Sequence, residues 1–262
     1  MSVDGWLAGK HAIVTGGGRG IGAAIARELA GMGARVTLIG RDEVRLNETA
    51  EDIAKAVGSA VSAYSCDVTQ AESVNDVFER AMHNAGDAYI LVNNAGQAEG
   101  ASFVETTPAL WDRLIAVNLT GTYLCTQQVV PAMVANGAGR IINIASTAGL
   151  KGYARVTAYC AAKHGVVGFT RALAAEVART GVTVNAVCPS YVDTEMTDRT
   201  VAAIAQRTQA STEEARKRLE RTIPIGRLIR PEEVAAAVAW LCTPAAASVT
   251  AQAIAVDGGE TQ

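Results

Sequence analysis

The chain has 262 residues, of which 49% are hydrophobic and 5% aromatic, and its formal net charge is −3. This balance argues against a broad electrostatic surface for nucleic acid, so we predict no nucleic-acid partner. The sequence has no signal-peptide pattern and no run of about 20 apolar residues that would span a bilayer, so we expect a cytoplasmic protein without a membrane partner.

Residues 1–262 are predicted to form a single domain, because no Pro/Ser-rich linker, charge block or low-complexity stretch divides them. Short apolar runs predict strands at 12–14, 35–39, 60–65, 90–92, 140–144, 183–187 and 253–256. Longer periodic stretches predict helices at 23–32, 44–56, 73–84, 110–136, 158–179 and 232–241. This alternation predicts the α/β class: one doubly wound Rossmann-type domain, with a seven-stranded parallel sheet and helices on both faces.

The glycine-rich run at 15–22 lies between the first strand and the first helix, where it is placed to hold a phosphate. Its Gly-x-x-x-Gly-x-Gly spacing differs from the common dinucleotide and Walker patterns, and a simple turn is the alternative. The helix is expected to begin near Ile21 and to favour a pyrophosphate with its N–H groups and dipole. The predicted cofactor contacts in this run are Gly16, Gly18, Arg19, Gly20 and Ile21.

Arg41 directly follows the second strand, where many dinucleotide folds place an acid for the ribose diol. A guanidinium there favours the 2′-phosphate, so we predict NADP(H), with NAD(H) as the alternative. Arg19 is a candidate second cation for the same phosphate. Two other interpretations stay open: Asp42 turning inward instead of Arg41, and a solvated Arg–Asp pair.

Polar residues also follow the third and fourth strands. Asp67 and Val68 come after the third strand, and Asn94, Ala95 and Gly96 come after the fourth. Their position fits a nucleotide groove, although Asn- and Gly-rich turns also occur for conformational reasons alone.

Tyr159 and Lys163 are spaced i, i+4 and therefore share one face of a predicted helix. A nearby ammonium stabilises a phenolate, so Lys163 together with the nicotinamide cation is expected to bring the tyrosine pKa toward neutrality. Ser146, which follows the fifth strand, would polarise the oxygen that Tyr159 protonates. Taken by itself, a Tyr–Lys pair at this spacing is usually an ordinary surface pair. The other motifs of the sequence therefore decide its interpretation.

These motifs together resemble the short-chain dehydrogenase/reductase family over nearly the full chain. The run at 15–22 is similar to the family's cofactor loop, and the run at 93–96 is similar to its sheet-stabilising motif. The positions that match the family's catalytic residues are Asn118, Ser146, Tyr159 and Lys163.

The resemblance implies a role for each of these four. Tyr159 is the implied general acid/base, and Ser146 orients the carbonyl or alcohol. Lys163 binds the nicotinamide ribose and lowers the tyrosine pKa, while Asn118 holds a water in the proton relay.

The resemblance extends to further cofactor contacts. Asp67 and Val68 would flank adenine. Residues 189–194 match a segment whose threonine contacts the carboxamide, which implicates Pro189, Val192 and Thr194. Ser190 stands where the family has glycine, so the local backbone is expected to differ.

A substrate lid is expected at about 191–225, and Ser211 and Glu214 form the pattern of a capping box that opens a helix. This helix is rich in cations, which are candidates to receive acyl-CoA or acyl carrier protein: Arg216, Lys217, Arg218 and Arg221. A solvated helix face balanced by glutamates is the equal alternative.

Within the family, the runs at 181–189 and 223–227 are similar to 3-oxoacyl and polyketide ketoreductases and to 3-hydroxyacyl dehydrogenases. We therefore expect hydride transfer between a carbonyl and a secondary alcohol, by an NADPH-dependent 3-oxoacyl-thioester ketoreductase. The alternatives are an NAD-dependent secondary-alcohol or 3-hydroxyacyl-CoA dehydrogenase and, more distantly, a non-catalytic dinucleotide-binding regulator.

The resemblance implies a homotetramer built through the long helices. The five cysteines are far apart, without a Cys-x-x-Cys pair, and are expected to be reduced and mostly buried. With three histidines and no ligand spacing, we predict no catalytic metal.

Overall fold

The computed structural model describes residues 5–262. Seven strands form one parallel sheet in the order β3-β2-β1-β4-β5-β6-β7, which confirms the predicted fold class. The strands are β1 His11–Thr15, β2 Arg35–Gly40, β3 Val61–Ser65, β4 Ala88–Asn93, β5 Gly139–Ile144, β6 Val182–Pro189 and β7 Ala253–Val256. Every strand predicted from the sequence is present.

The helices connect consecutive strands. They are α1 Gly20–Gly31, α2 Glu43–Val57, α3 Ala71–Ala85, α4 Pro108–Ile115, α5 Gly121–Ala135, α6 Thr157–Val177, α7 Glu195–Thr208, α8 Thr212–Glu220 and α9 Pro231–Leu241. The single regular helix predicted over 110–136 is wrong, because a π-helical turn, Ala116–Thr120, separates α4 from α5. Such a turn inserts one extra residue into the helix and shifts the side chains that follow.

The two faces of the sheet carry separate hydrophobic clusters, because side chains alternate along each strand. Ala12 and Val14 of β1 pack in one cluster with residues of α1, α2 and α9. Ile13, between them, packs in the other cluster with residues of α3, α5 and α6. The sheet is therefore covered on both faces, and its polar loops collect at the strand ends.

The strand order reverses between β1 and β4, which are neighbours in the sheet although two strands separate them in the chain. Diverging loops at such a point leave a crevice outside the carboxyl ends of the strands. The loop after β1 and the loop after β4 meet there.

The cysteines are all free and buried, as expected. Burial raises the pKa of the Cys242 thiol to about 12. Within residues 5–262, we find no helix that is both long and apolar enough for a membrane span.

Candidate active site

The glycine-rich loop after β1 is braced by Asn94. The Asn94 side-chain amide donates to the carbonyl oxygens of Thr15 (3.0 Å) and Gly16 (3.2 Å). Gly16 has a φ of +66°, and a Cβ on Gly22 would lie 2.2 Å from the Gly16 carbonyl oxygen and 2.6 Å from Asn94 Nδ2. These two glycines allow the loop to fold onto itself beside β4.

The same loop ends at the N-terminus of α1, which begins at Gly20. Within the described residues 5–262, no side chain caps this end, and its first turn contains no acidic residue. Its N–H groups therefore remain available to an anion. Thr194 lies against the turn, since a Cβ on Gly20 would be 3.1 Å from Thr194 Cγ2.

Beside this end of α1, three arginines lie near the end of β2. Arg41 is exposed and directly follows the strand. Arg19 Nη1 donates to Glu195 Oε2 at 2.6 Å, and Arg45 Nη2 donates to Glu195 Oε1 at 2.5 Å. The glutamate at the start of α7 thus binds both arginines across the loop.

Asp42 does not turn toward the crevice. Its Oδ1 accepts from the Arg45 backbone N–H (3.1 Å) and so caps α2. The inward-facing Asp42 interpretation is therefore wrong, because the helix N-terminus binds the carboxylate. Arg45 and Glu195 were not predicted from the sequence, because the contact between them joins residues 150 apart in the chain.

The residues after β3 have local partners. Asp67 Oδ1 accepts from the backbone N–H (3.0 Å) and hydroxyl (2.8 Å) of Thr69. Val68 is buried and packs on Gly121, where a Cβ would lie 2.9 Å from Val68 Cγ2. This contact joins the end of β3 to the start of α5.

Asn118 lies in the π-helical turn and is buried. Its Nδ2 donates to the carbonyl oxygens of Leu114 and Gln97 (2.9 Å each), and its Oδ1 accepts from the Gln97 N–H (3.2 Å). A Cβ on Gly96 would lie 2.7 Å from Asn118 Oδ1 and 3.7 Å from Lys163 Nζ. Gly96 therefore permits the loop after β4 to approach both side chains.

Ser146, Tyr159 and Lys163 lie at the carboxyl end of β5. Ser146 caps a short 3-10 turn, with its Oγ accepting from the Ala148 N–H at 3.1 Å. Lys163 Nζ donates to the Ile144 carbonyl oxygen at 2.7 Å and lies 5.7 Å from the centre of the Tyr159 ring. The structure therefore brings together the residues that the sequence analysis grouped.

The protein's own groups do not lower the pKa of Tyr159. Burial raises the pKa of Tyr159 to about 12, against a smaller opposing effect of a hydrogen bond with Ser146. Burial also lowers the pKa of Lys163 to about 8. The predicted lowering of the tyrosine pKa is not produced by the protein's own groups, because desolvation of the phenolate outweighs their attraction.

The segment after β6 connects the site to α7. Pro189 ends β6, and Val192 is buried and pairs with Ile229 in an isolated parallel bridge. Ser190 donates its backbone N–H to the Val256 carbonyl oxygen (3.3 Å) and its hydroxyl to Glu260. Glu260 was not identified from the sequence, since it is 70 residues away in the chain.

The expected lid region contains α7 and α8. The capping box is confirmed, since Ser211 Oγ accepts from the Glu214 N–H and Glu214 Oε2 accepts from the Ser211 N–H, at 3.1 Å each. Arg216 pairs with Asp193 (2.8 Å), and Lys217 pairs with Glu213 (2.7 Å). Two of the four cationic side chains predicted to receive the substrate therefore form ion pairs within the protein.

Among residues 5–262, no group of three or more His, Cys, Asp or Glu side chains is arranged to hold a metal ion. The site lies at the carboxyl ends of the strands. It comprises the uncapped N-terminus of α1, the arginines near the end of β2, and the cluster of Tyr159, Lys163, Ser146 and Asn118. This combination is typical of a dinucleotide-dependent oxidoreductase.

Comparisons with known proteins support this class of enzyme. A family model described as short chain dehydrogenase matches residues 10–205. A granaticin polyketide synthase putative ketoacyl reductase from Streptomyces violaceoruber is 45% identical, covering 98% of this chain and 95% of its own. A putative ketoacyl reductase from Streptomyces coelicolor is 44% identical, covering 95% of each.

A crystal structure of a variant actinorhodin polyketide ketoreductase with NADPH superposes with a TM-score of 0.94, at 42% identity and 97% coverage of both chains. The chain belongs to the short-chain dehydrogenase family. It is an NAD(P)-dependent enzyme acting on a small-molecule substrate, which sets aside the non-catalytic regulator.

Proposed function

We propose that this enzyme is an NADPH-dependent ketoreductase that reduces the keto group of a 3-oxoacyl thioester to a secondary alcohol. The observation that carries the proposal is the cluster of Tyr159, Lys163, Ser146 and Asn118 at the carboxyl end of β5, in which Lys163 and Asn118 are buried and Ser146 and Tyr159 are partly exposed. The ketoacyl reductase relatives and the NADPH complex of the structural neighbour support the reducing reaction. They do not favour the NAD-dependent dehydrogenase alternative.

The crevice fits NADPH. The uncapped N-terminus of α1 suits the pyrophosphate, and Arg41, beside the Arg19 and Arg45 that share Glu195, suits the 2′-phosphate. Gly16 and Gly22 allow the loop after β1 to pack closely against Asn94, which fixes the loop beside the helix N-terminus. We assign the remaining contacts to Gly18, Gly20, Ile21, Asp67, Val68, Asn94, Ala95, Gly96, Pro189, Val192 and Thr194. When bound, NADPH supplies the hydride to the substrate carbonyl carbon.

Tyr159 donates the proton. With its pKa raised to about 12, its hydroxyl is protonated at neutral pH and can give the proton to the carbonyl oxygen as negative charge develops there. The Ser146 hydroxyl donates a hydrogen bond to the same oxygen. These two donors stabilise the charge in the transition state more than in the substrate.

Lys163 and Asn118 serve to return a proton to Tyr159 after it has protonated the substrate. The Lys163 ammonium uses one N–H on the Ile144 carbonyl oxygen, which leaves two for the nicotinamide ribose and for the tyrosinate that remains after transfer. We assign to Asn118 a water beside Lys163, bound through the one acceptor site that its Oδ1 has left after the Gln97 N–H. Protons then return from solvent to Tyr159 along this path.

The substrate is held by a lid at 191–225 that comprises α7 and α8. Arg218 and Arg221 are exposed on α8 and at its end, and neither forms an ion pair with another residue of the 5–262 range. We assign them to the phosphate groups of a coenzyme A or acyl carrier protein substrate.

A homotetramer is also part of the proposal. Exposed apolar side chains occur before and along α4 and α5, including Val104 (94% exposed) and Tyr123 (46%). On α6, Ala161 and Gly168 are exposed, and a Cβ on Gly168 would meet nothing within 4 Å. Small residues on one helix face allow a second copy to approach closely. Light scattering at micromolar concentration is expected to give four times the monomer mass, and a monomer would contradict it.

The test of the function is a comparison of kcat/KM over a panel of 3-oxoacyl thioesters, simple ketones, cyclic alcohols and sugars, with NADP(H) and NAD(H) side by side. We expect a 3-oxoacyl thioester with NADPH to lead. Faster turnover of a secondary alcohol or 3-hydroxyacyl-CoA with NAD would contradict the proposal.

A further inference from the structure

The segment after β7 carries a glutamate that is nearly inaccessible to solvent. The Glu260 side chain is only 4% exposed. Its Oε1 accepts from the Tyr153 hydroxyl at 2.6 Å, and its Oε2 accepts from the Ser190 hydroxyl. A buried carboxylate without such donors would be costly, so these contacts define its position.

Lys151 balances the charge of this carboxylate. Its Nζ donates to the Glu260 backbone carbonyl oxygen at 2.9 Å and lies 3.4 Å from Oε1. Burial, and next the hydrogen bond to Glu260, raise the pKa of Tyr153, which keeps this hydroxyl a donor. Lys151 and Tyr153 therefore both hold Glu260 from the 151–153 segment.

The backbone around Glu260 is fixed independently of its side chain. Asp257 accepts from the N–H groups of Gly259 and Thr261 at 2.9 Å each, which closes a tight turn around Glu260. Gly258 has a φ of +62°, and a Cβ there would lie 2.6 Å from Ile225 Cγ1, so the turn packs under the end of the lid region. The Glu260 side chain therefore projects from a backbone turn that Asp257 holds in place.

The two hydroxyls that Glu260 binds come from different sides of the site. Tyr153 is also hydrogen-bonded to Thr147 Oγ1 at 2.8 Å, and Thr147 directly follows Ser146. Ser190 directly follows Pro189 in the segment assigned to the nicotinamide end. One carboxylate therefore links the segment carrying the substrate-polarising hydroxyl to the segment contacting the cofactor.

We propose that Glu260 is a positioning residue, which fixes Ser146 relative to the 189–194 segment through Tyr153 and Ser190. This inference rests on the proposed function. Ser190 supplies one of the two hydroxyls that Glu260 binds, and Tyr153 supplies the other.

The test compares Glu260→Ala with Glu260→Gln, using Gln262→Ala as a control at an exposed position of the same segment. Misplacement of reacting groups by a fraction of an ångström is expected to lower kcat about tenfold in Glu260→Ala. The NADPH dissociation constant, from fluorescence titration, is expected to stay within about twofold, since the pyrophosphate and 2′-phosphate sites are remote. Glu260→Gln retains an acceptor oxygen and is expected to recover most of kcat, because both hydroxyls can reorient toward an amide.

Ser190→Gly and Tyr153→Phe provide a second test if Glu260→Ala does not fold. Each removes one donor and retains the carboxylate, and each is expected to lower kcat severalfold with little change in cofactor affinity. A kcat within twofold of wild type in all folded variants would overturn the inference, as would parallel losses of kcat, NADPH affinity and melting temperature. If wild type reduces no ketone, the proposed function fails, and kcat is compared in the oxidising direction instead.

Discussion

The ammonium of Lys163 is held beside the ring of Tyr159 by the backbone of β5. Its Nζ lies 5.7 Å from the ring centre and donates to the Ile144 carbonyl oxygen at 2.7 Å. Both groups are forced toward their neutral forms by burial, with pKa values of about 8 for the lysine and about 12 for the tyrosine. The site therefore suits proton donation by Tyr159, and Lys163 is a base that titrates close to neutrality.

The lowered pKa of Lys163 predicts a pH-dependent stability. An unfolded lysine titrates near 10.5, so between pH 8 and 10.5 the unfolded chain binds more protons than the folded protein. The Lys163 contribution to the free energy of unfolding is therefore constant below pH 8 and rises across this window, by about 3 kcal/mol.

Urea titrations of wild type and Lys163→Met at several pH values measure this contribution as a difference, which cancels the titration of the buried thiols and tyrosines. We expect the wild-type stability minus the variant stability to increase from pH 8 to 10.5. A difference that is flat with pH would show that Lys163 keeps an ordinary pKa.

Gly96→Ala tests the contact between the loop after β4 and the catalytic cluster. The added Cβ would lie 2.7 Å from Asn118 Oδ1, so the loop or the asparagine must move. We expect kcat to fall about tenfold or more. Gly31→Ala is the control, since a Cβ there meets nothing within 4 Å, and it is expected to leave kcat unchanged and to raise stability slightly. Equal kcat in the two variants would contradict the assigned contact.

Arg41→Ala tests the cofactor assignment. Arg41 is the exposed arginine that directly follows β2, whereas Arg19 and Arg45 both bind Glu195. Loss of a charge-assisted contact of about 1.5–3 kcal/mol should raise the KM for NADPH at least tenfold and leave that for NADH unchanged. Arg27→Ala, at an exposed position on α1, is the control. An unaltered ratio of NADPH to NADH efficiency would refute the role of Arg41.

The cations of α8 predict a substrate-dependent effect. Reversing both Arg218 and Arg221 to glutamate should raise KM for CoA thioesters severalfold and leave KM for short free ketones unchanged, because only the former carry phosphates. Lys217→Glu is the comparison, since this lysine already pairs with Glu213. Equal effects on both substrate types would favour the solvated-face interpretation.

The sequence predicted the strands well because each is a short apolar run between turn residues, and periodicity is a local signal. The capping box at Ser211 was likewise readable, since both partners lie within four residues. The π-helical turn at Asn118 was not predicted, because hydrophobic periodicity reports the phase of a helix but not the hydrogen-bond pattern that changes it.

The missed residues depend on contacts distant in sequence. Arg45 and Glu195 are 150 residues apart, and Ser190 and Glu260 are 70 apart. Neither pair forms a local motif. The direction of the Tyr159 pKa also required the structure, because it depends on how far burial exceeds the attraction of neighbouring groups.

Single-turnover oxidation of NADPH by Tyr159→Phe tests the central claim most directly, with Tyr89→Phe as the control at the opposite end of the sheet. Removing one hydroxyl should slow the hydride-transfer step by a factor of about 100 or more, because the proton donor is lost. The NADPH dissociation constant and the Tyr89→Phe rate should stay within about twofold of wild type. A rate for Tyr159→Phe within twofold of wild type would contradict the assignment of Tyr159 as the proton donor.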